Sequence, residues 1–286
     1  MPLIQSLLLA ALQIGPNPLA TPLPDGHDEL RERPPRETGG IEGSAESEWL
    51  AQCLALVAED AARAHTLAQL RRNESAGAER VLANHCLGLA ATELTLWDDA
   101  IAAFSAARDD TPADELRVRA RFGAMAGNAA LASGDPVRAE VILRVAQDDA
   151  VNAASAPMQA IAASDLARAL VAQDRADEAL AQLETATSLQ PQVAEGWLLK
   201  ATLLRRLERL GEAQTAIERA SQLTPMEPQV GLEAGVIAVL SGRQDAARAS
   251  WQSVIDLQPD GAAAEIARDY LGQLGPDAAT TPEEAS

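Results

Sequence analysis

One pattern of small, large and proline residues recurs through the middle of the chain and limits its fold more than any other feature. Each copy starts at an alanine, with a large residue four positions later and a smaller apolar residue seven positions later. The five starting alanines are Ala100, Ala139, Ala179, Ala213 and Ala247. They are 39, 40, 34 and 34 residues apart. A generic helical bundle needs no shared long period, so the pattern favours stacked copies of one unit.

The spacing can be explained if each copy is a pair of helices. Twelve positions before each starting alanine stands another small residue, and small residues let two helix backbones approach closely. These small residues are Gly88, Gly127, Ala167, Ala201 and Gly235. The large residue one turn after each alanine is then expected to fill the gap to the next repeat. The large residues are Phe104, Leu143, Leu183, Ile217 and Trp251.

A proline twelve positions after the starting alanine closes four of the five copies. Proline cannot continue the helical hydrogen-bond ladder, so it is predicted to end the second helix of each pair. In the copy that starts at Ala139, Val151 takes the place of proline. The longer steps of 39 and 40 residues imply five or six extra residues, in longer helices or in loops.

Composition agrees with a helical fold and excludes some partners. Hydrophobic residues make up 47% of the chain and aromatic residues 2%, so the core consists mainly of Ala and Leu, which favour helices. A net charge of −19 opposes binding to nucleic acid. Lys200 is the one lysine in an Ala- and Arg-rich sequence, which is typical of a bacterium with a GC-rich genome.

The two ends differ from the repeating region. Residues 1–20 carry an apolar run, Leu3 to Ile14, that is too short to span a bilayer. Its length suits a signal peptide, but no basic residue precedes it, so two interpretations stay open: an exported, periplasmic protein, or a cytoplasmic one with a hydrophobic N-terminal segment. Residues 21–46 are rich in Pro, Gly and charge and are predicted to be a disordered linker. Residues 276–286 are predicted to be a disordered acidic tail.

The repeating region resembles the tetratricopeptide repeat family. Trp197 stands at that family's tryptophan position and Leu87-Gly88 at its Leu-Gly position, whereas Lys200 replaces a leucine. The resemblance covers residues 81–259 and implies an all-α fold. We expect an α-solenoid of stacked antiparallel helix pairs over residues 47–275, with about five clear repeats, a degenerate N-terminal pair and a C-terminal capping helix.

The resemblance also implies a binding site. In the family, the first helices of successive repeats line a concave groove that holds a peptide or helix of a partner protein. The family's groove positions correspond here to Leu82, His85, Leu89, Arg121, Asn128, Arg168, Leu198, Thr202, Arg205, Arg206, Leu232 and Val236. His85 and Leu89 stand where chaperone-tail binders carry Lys and Asn, so that ligand is not expected. Four arginines in a strongly acidic chain favour an acidic partner segment.

Nothing in the sequence predicts catalysis. It shows no glycine-rich phosphate loop, no metal-spaced His/Cys cluster and no recognisable nucleophile–base pair. Acid pairs such as Asp109-Asp110 and Asp148-Asp149 are predicted at helix starts or turns. We therefore predict a non-catalytic binding module or scaffold with no cofactor, no metal, no small-molecule substrate and no transmembrane span. A self-associating assembly factor of the bacterial cell envelope is the alternative, and an enzyme or enzyme subunit is favoured less.

The two cysteines leave one further alternative open. Cys53 and Cys86 are too few for a disulfide framework or a metal site. We expect them to be small buried hydrophobic residues on helices. A disulfide between neighbouring helices would require export of the chain.

Overall fold

A computed structural model describes residues 45–274, so the predicted segment 1–20, nearly all of the linker 21–46 and the tail 276–286 lie outside the described residues. Within residues 45–274 the chain forms thirteen α-helices and no strand. They are α1 Ala45–Glu59, α2 Ala61–Glu74, α3 Gly77–Glu93, α4 Trp97–Asp110, α5 Leu116–Ala132, α6 Pro136–Asn152, α7 Ala156–Val171, α8 Ala176–Leu189, α9 Ala194–Arg206, α10 Leu210–Leu223, α11 Pro228–Leu240, α12 Gln244–Leu257 and α13 Ala262–Leu274. In this part of the chain, no helix combines the length and apolar character that a membrane span needs.

The helices pack in sequence, each against the next along the chain. Helices α3 to α12 form five consecutive pairs, α1 and α2 form a pair before them, and α13 packs on α12 at the end. Short connections between consecutive helices make the pairs antiparallel hairpins. The structure therefore confirms the predicted all-α solenoid with its N-terminal pair and final helix.

The predicted close approaches between helices are present. A Cβ atom added to Gly127 would lie 2.4 Å from Cγ of Leu143, and one added to Gly235 would lie 2.0 Å from Nε1 of Trp251. At Gly88 the nearest atom would be Cε1 of Phe104, at 2.4 Å. The five starting alanines are all fully buried. The alternation of small and large residues is thus what lets the two helices of a pair pack together.

The helix ends follow the prolines. Helices α4, α8, α10 and α12 each end two residues before a proline: Pro112, Pro191, Pro225 and Pro259. Where Val151 replaces proline, α6 continues to Asn152. Helices α5 and α6 have 17 residues each, against 13 in α9 and 14 in α10, so the extra residues of the longer steps lie mainly in longer helices.

The turn inside each of the five pairs contains one residue with positive φ. These residues are Thr95 (57°), Gly134 (82°), Asp174 (58°), Glu208 (60°) and Gly242 (74°). Each stands five positions before its starting alanine. The same left-handed conformation therefore ends the first helix in every repeat, although glycine, which adopts it at least cost, occurs in only two of them.

A disulfide joins the N-terminal pair to the first repeat. Cys53 of α1 is bonded to Cys86 of α3, with 6.3 Å between their Cα atoms. Our expectation of two separate buried thiols is therefore wrong. The physical reason is that α1 packs on α3 and brings two buried positions within the distance that a disulfide spans.

One prediction about the acid pairs is also wrong. Asp148 and Asp149 lie inside α6, because that helix has no proline to end it before Asn152. The carboxylate of Asp149 is buried and accepts a hydrogen bond from Nε of Arg108 at 2.8 Å. Asp110 stands at the end of α4 and accepts hydrogen bonds from Arg80 of α3. Asp110 and Asp149 therefore form ion pairs between helices, α4 with α3 and α6 with α4.

Candidate functional site

Polar side chains connect the first helices of successive repeats, starting with α3, α5 and α7. The ring of His85 on α3 meets the ring of Phe122 on α5 edge to face, with 5.3 Å between centroids. Nδ2 of Asn128 on α5 donates to Oδ2 of Asp165 on α7 at 2.9 Å. Two predicted groove residues, His85 and Asn128, thus contact the next first helix along the chain.

The same side of the solenoid continues through α7, α9 and α11. The guanidinium of Arg168 on α7 pairs with the carboxylate of Glu195 on α9. Nε of Arg205 on α9 donates to Oε1 of Glu233 on α11 at 2.6 Å. Two of the arginines that the sequence suggests as ligand-binding groups therefore form intramolecular ion pairs.

Two adjoining clefts lie between α7 and α9. Cleft A, of about 250 Å³, is lined by Pro157, Ile161, Asp165, Ala186, Val193 and Glu195, among others. Cleft B, of about 180 Å³, is lined by Arg168, Val171, Leu183, Leu199, Thr202 and Arg206, among others. Ser164 lines both clefts, so they follow one another along the seam between the two helices.

The structure brings three predicted groove residues together and spreads the others along the first helices. Arg168, Thr202 and Arg206 line cleft B. Of the others, Arg121 and Asn128 are exposed, and His85 and Leu232 are buried. The remaining five are partly buried, namely Leu82, Leu89, Leu198, Arg205 and Val236. The assignment of all twelve predicted groove residues to partner binding stays a prediction.

Sequence reasoning missed two acids of this surface. Asp165 and Glu233 stand at the same position of their repeats, two residues before the small residues Ala167 and Gly235. Each pairs with an arginine, Asp165 with Arg168 and Glu233 with Arg205. Asp165 is almost fully buried, at 3% exposure. A signal was available in the sequence, since Asp165 is the one acid in the apolar stretch from Ala156 to Leu170.

Two buried groups on this side of the solenoid have shifted pKa values. Burial raises the pKa of Asp165 to about 6, although Arg168 and Asn128 favour its charged form. Burial lowers the pKa of His85 to about 4, and the nearby charge of Arg121 lowers it further. Near neutral pH, Asp165 is therefore largely ionised and His85 is neutral.

These shifts predict opposite pH dependences of stability. A carboxyl with a raised pKa stabilises the fold below its ordinary value of 3.8, and this stability is lost as pH rises through about 6. A histidine with a lowered pKa stabilises the fold above its ordinary value of 6.5, and this stability is lost as pH falls towards about 4. Each shift corresponds to about 3 kcal/mol, and the two effects act in opposite directions in the wild type.

Substituting either group should expose the other's effect. We expect Asp165→Asn to make the melting temperature fall as pH drops from 7 to 4.5, because the His85 effect is then no longer opposed by that of Asp165. His85→Gln should make the melting temperature rise over the same interval. Thermal melts followed by circular dichroism at several pH values measure both, and profiles parallel to that of the wild type would show that neither group is coupled to folding.

The fold and the surface between its first helices define the class: a helical-repeat protein of the α-solenoid type. Residues 164–228 and 198–262 match the family model described as tetratricopeptide repeat. Residues 164–262 therefore carry tetratricopeptide repeats, and a domain of this family is generally a protein-interaction module. A comparison with curated proteins finds no match.

Solved structures with similar folds are bacterial tetratricopeptide repeat proteins. PilW, a widely conserved type IV pilus biogenesis factor, is 16% identical, with 78% of this chain and 98% of that chain covered and a TM-score of 0.62. PilF of Pseudomonas aeruginosa is 14% identical, with 79% and 97% covered and a TM-score of 0.59. MamA from Desulfovibrio magneticus RS-1, from residue 41 to its end, is 16% identical, with 64% and 97% covered and a TM-score of 0.51. At these identities the likeness concerns the fold.

Proposed function

We propose that this protein is a non-catalytic scaffold that binds a peptide or helix of a partner protein in clefts A and B. One observation carries the proposal: the clefts adjoin along the first-helix side, at a place where three predicted groove residues meet. Their walls are mostly apolar, with the charged groups at Asp165, Arg168, Glu195 and Arg206. Concave apolar surfaces with a few polar groups are typical of ligand sites.

We also propose that the partner segment is acidic. Arg121 and Arg206 are exposed, and neither forms a salt bridge within residues 45–274. Arg168 and Arg205 are less available than the sequence suggests, because Asp165, Glu195 and Glu233 pair with them. Positive side chains on one side of a body of charge −19 would attract an acidic segment.

Selection of peptides from a random 12-residue phage-displayed library against the full chain tests the binding function. We expect enriched peptides whose affinity falls at least tenfold in Thr202→Trp, because the indole would fill cleft B. Thr215→Trp is the matched control, since Thr215 is exposed on α10, the second helix of its pair. Affinity is measured by fluorescence anisotropy.

Three results of this experiment would count against the binding function. They are a failure to enrich any peptide, equal affinities in the two variants, and a free protein that self-associates in light scattering through this same surface. The third result would favour the assembly-factor alternative.

Export of the chain is a further proposal. The Cys53–Cys86 disulfide supports it, because disulfides persist in oxidising compartments and are rare in the cytosol. The short apolar run in residues 1–20 agrees with it. The intact mass of protein isolated from its own host decides the matter, since a full-length species with two free thiols would indicate a cytoplasmic protein.

A further inference from the structure

The two ends of the Arg168 guanidinium have very different partners. Nη1 donates to Oδ1 of Asp165 at 2.5 Å, and the side chain of Asp165 is 4% exposed. Nη2 donates to Glu195, whose side chain is 61% exposed. The buried acid therefore fixes the arginine in place, whereas an exposed acid on a helix end contributes little and exchanges readily with solvent.

The exchangeable pair lies where the two clefts meet. Glu195 lines cleft A and Arg168 lines cleft B, so their ion pair spans the boundary between the two clefts. On one side, cleft A offers the apolar surfaces of Ile161 and Val193. On the other side, cleft B offers Leu199. A chain lying along the seam would meet an apolar cleft, then the Arg168 guanidinium, then a second apolar cleft.

Resting on the proposed binding function, we propose that Glu195 occupies the place of a ligand carboxylate. The partner segment carries an Asp or Glu with an apolar side chain on each side of it. Its carboxylate replaces Glu195 on Nη2 of Arg168, and its two apolar side chains enter clefts A and B. One carboxylate is exchanged for another, so Arg168 keeps two acidic partners throughout.

Two arginines, Arg168 and Arg206, favour an acid over other side chains at the central position, where Asp165 is already paired with Arg168. Arg206 lies in the wall of cleft B with no ion pair in residues 45–274, so a lysine near it would be repelled. A neutral side chain would not restore the charge-assisted hydrogen bond that Glu195 gives up. The guanidinium is planar and presents its donors in a fixed direction, which suits a carboxylate.

Labelled nine-residue synthetic peptides test this assignment on the full chain. Their background is Ser and Gly, the central residue is Glu, Gln or Lys, and a Leu stands two or three positions away on each side. We expect the Glu peptides to bind at least threefold more tightly than the Gln peptides, and the Lys peptides to bind most weakly. Fluorescence anisotropy gives the dissociation constants.

Two pairs of variants separate the proposed exchange from general electrostatics. Glu195→Gln removes the internal competitor, so affinity for the Glu peptides should rise by about 1.5-fold to fivefold, the range expected for an exposed ion pair. Glu212→Gln is its control, because Glu212 is equally exposed, at 59%, and pairs with Arg209 on the second-helix side. Arg168→Gln should abolish the preference for Glu over Gln, and Arg209→Gln should preserve it.

The outcomes distinguish this inference from the binding function itself. Equal affinities for Glu and Gln peptides in the wild type, or an identical response to Glu195→Gln and Glu212→Gln, would overturn the inference and leave the binding function standing. Binding of library-selected peptides together with no binding of the Leu-containing set would overturn it as well. Absence of binding by any peptide would remove the proposed function and the inference together.

Discussion

Gly127→Leu and Gly235→Leu should each destabilise the protein by about 3 kcal/mol or more, whereas Gly211→Leu should not destabilise it. At Gly235 an added Cβ would lie 2.0 Å from Nε1 of Trp251, and that indole is buried and donates to the carbonyl oxygen of Leu232 at 3.1 Å. The ring cannot move without breaking this hydrogen bond, so the helices must separate. Gly127 faces the fully buried Leu143 in the same way.

Gly211 is the matched control for this prediction. It lies in α10, and an added Cβ would meet no other atom within 4 Å. Leucine there should stabilise the helix by up to about 1 kcal/mol, because glycine is a poor helix former. Urea unfolding followed by circular dichroism compares the three variants with the wild type. Similar midpoints for Gly211→Leu and Gly235→Leu would show that the close approach does not limit packing.

Loss of the Cys53–Cys86 disulfide should cost about 4 kcal/mol. The bond closes a loop with a sequence separation of 33, and cross-linking a loop of this length restricts the unfolded chain by about that amount. The effect should be largest in α1 and α2, because a small cluster around Cys53 and the partly exposed pairs Arg71–Glu79 and His65–Asp99 are the other links of this pair to the first repeat among the described side chains. Faster amide hydrogen exchange in α1 and α2 would report the local loosening.

A reductant provides the internal comparison for the disulfide. Dithiothreitol should lower the melting temperature of the wild type to that of the Cys53→Ser/Cys86→Ser double variant and leave the double variant unchanged. A wild type that melts at the same temperature with and without dithiothreitol would mean that packing alone holds the N-terminal pair in place.

The repeat pattern predicted the fold well because the spacing of small and large residues is a direct record of helix packing. The small residue at Gly127 does mark a close approach of two helices, but the expected contact of Leu143 was with the next repeat, whereas it faces Gly127 of its own pair. The prolines correctly predicted the ends of four helices, because proline cannot continue the helical hydrogen-bond ladder. Val151 stands in place of proline in one copy, so the pattern predicted no end for α6. Asp149 therefore lies inside that helix, where it forms a buried ion pair with Arg108.

The candidate site was less predictable, because it depends on which side chains reach across from one repeat to the next. Family positions indicate the side of a helix on which Arg168 lies, but they do not show that Asp165 and Glu195 pair with it. The size of the clefts depends on the distance between α7 and α9, and no sequence pattern predicts that distance. The disulfide likewise required knowing that α1 packs on α3.

The left-handed turn residues offer a route to a more heat-resistant protein. Thr95, Asp174 and Glu208 hold a conformation that costs a non-glycine residue of order 1 kcal/mol, while the equivalent turns at Gly134 and Gly242 avoid that cost. Replacing these three residues with glycine would give their turns the residue that the other two turns already have, and should stabilise the fold. None of the three residues lines cleft A or cleft B, so this engineering would leave the candidate binding surface untouched.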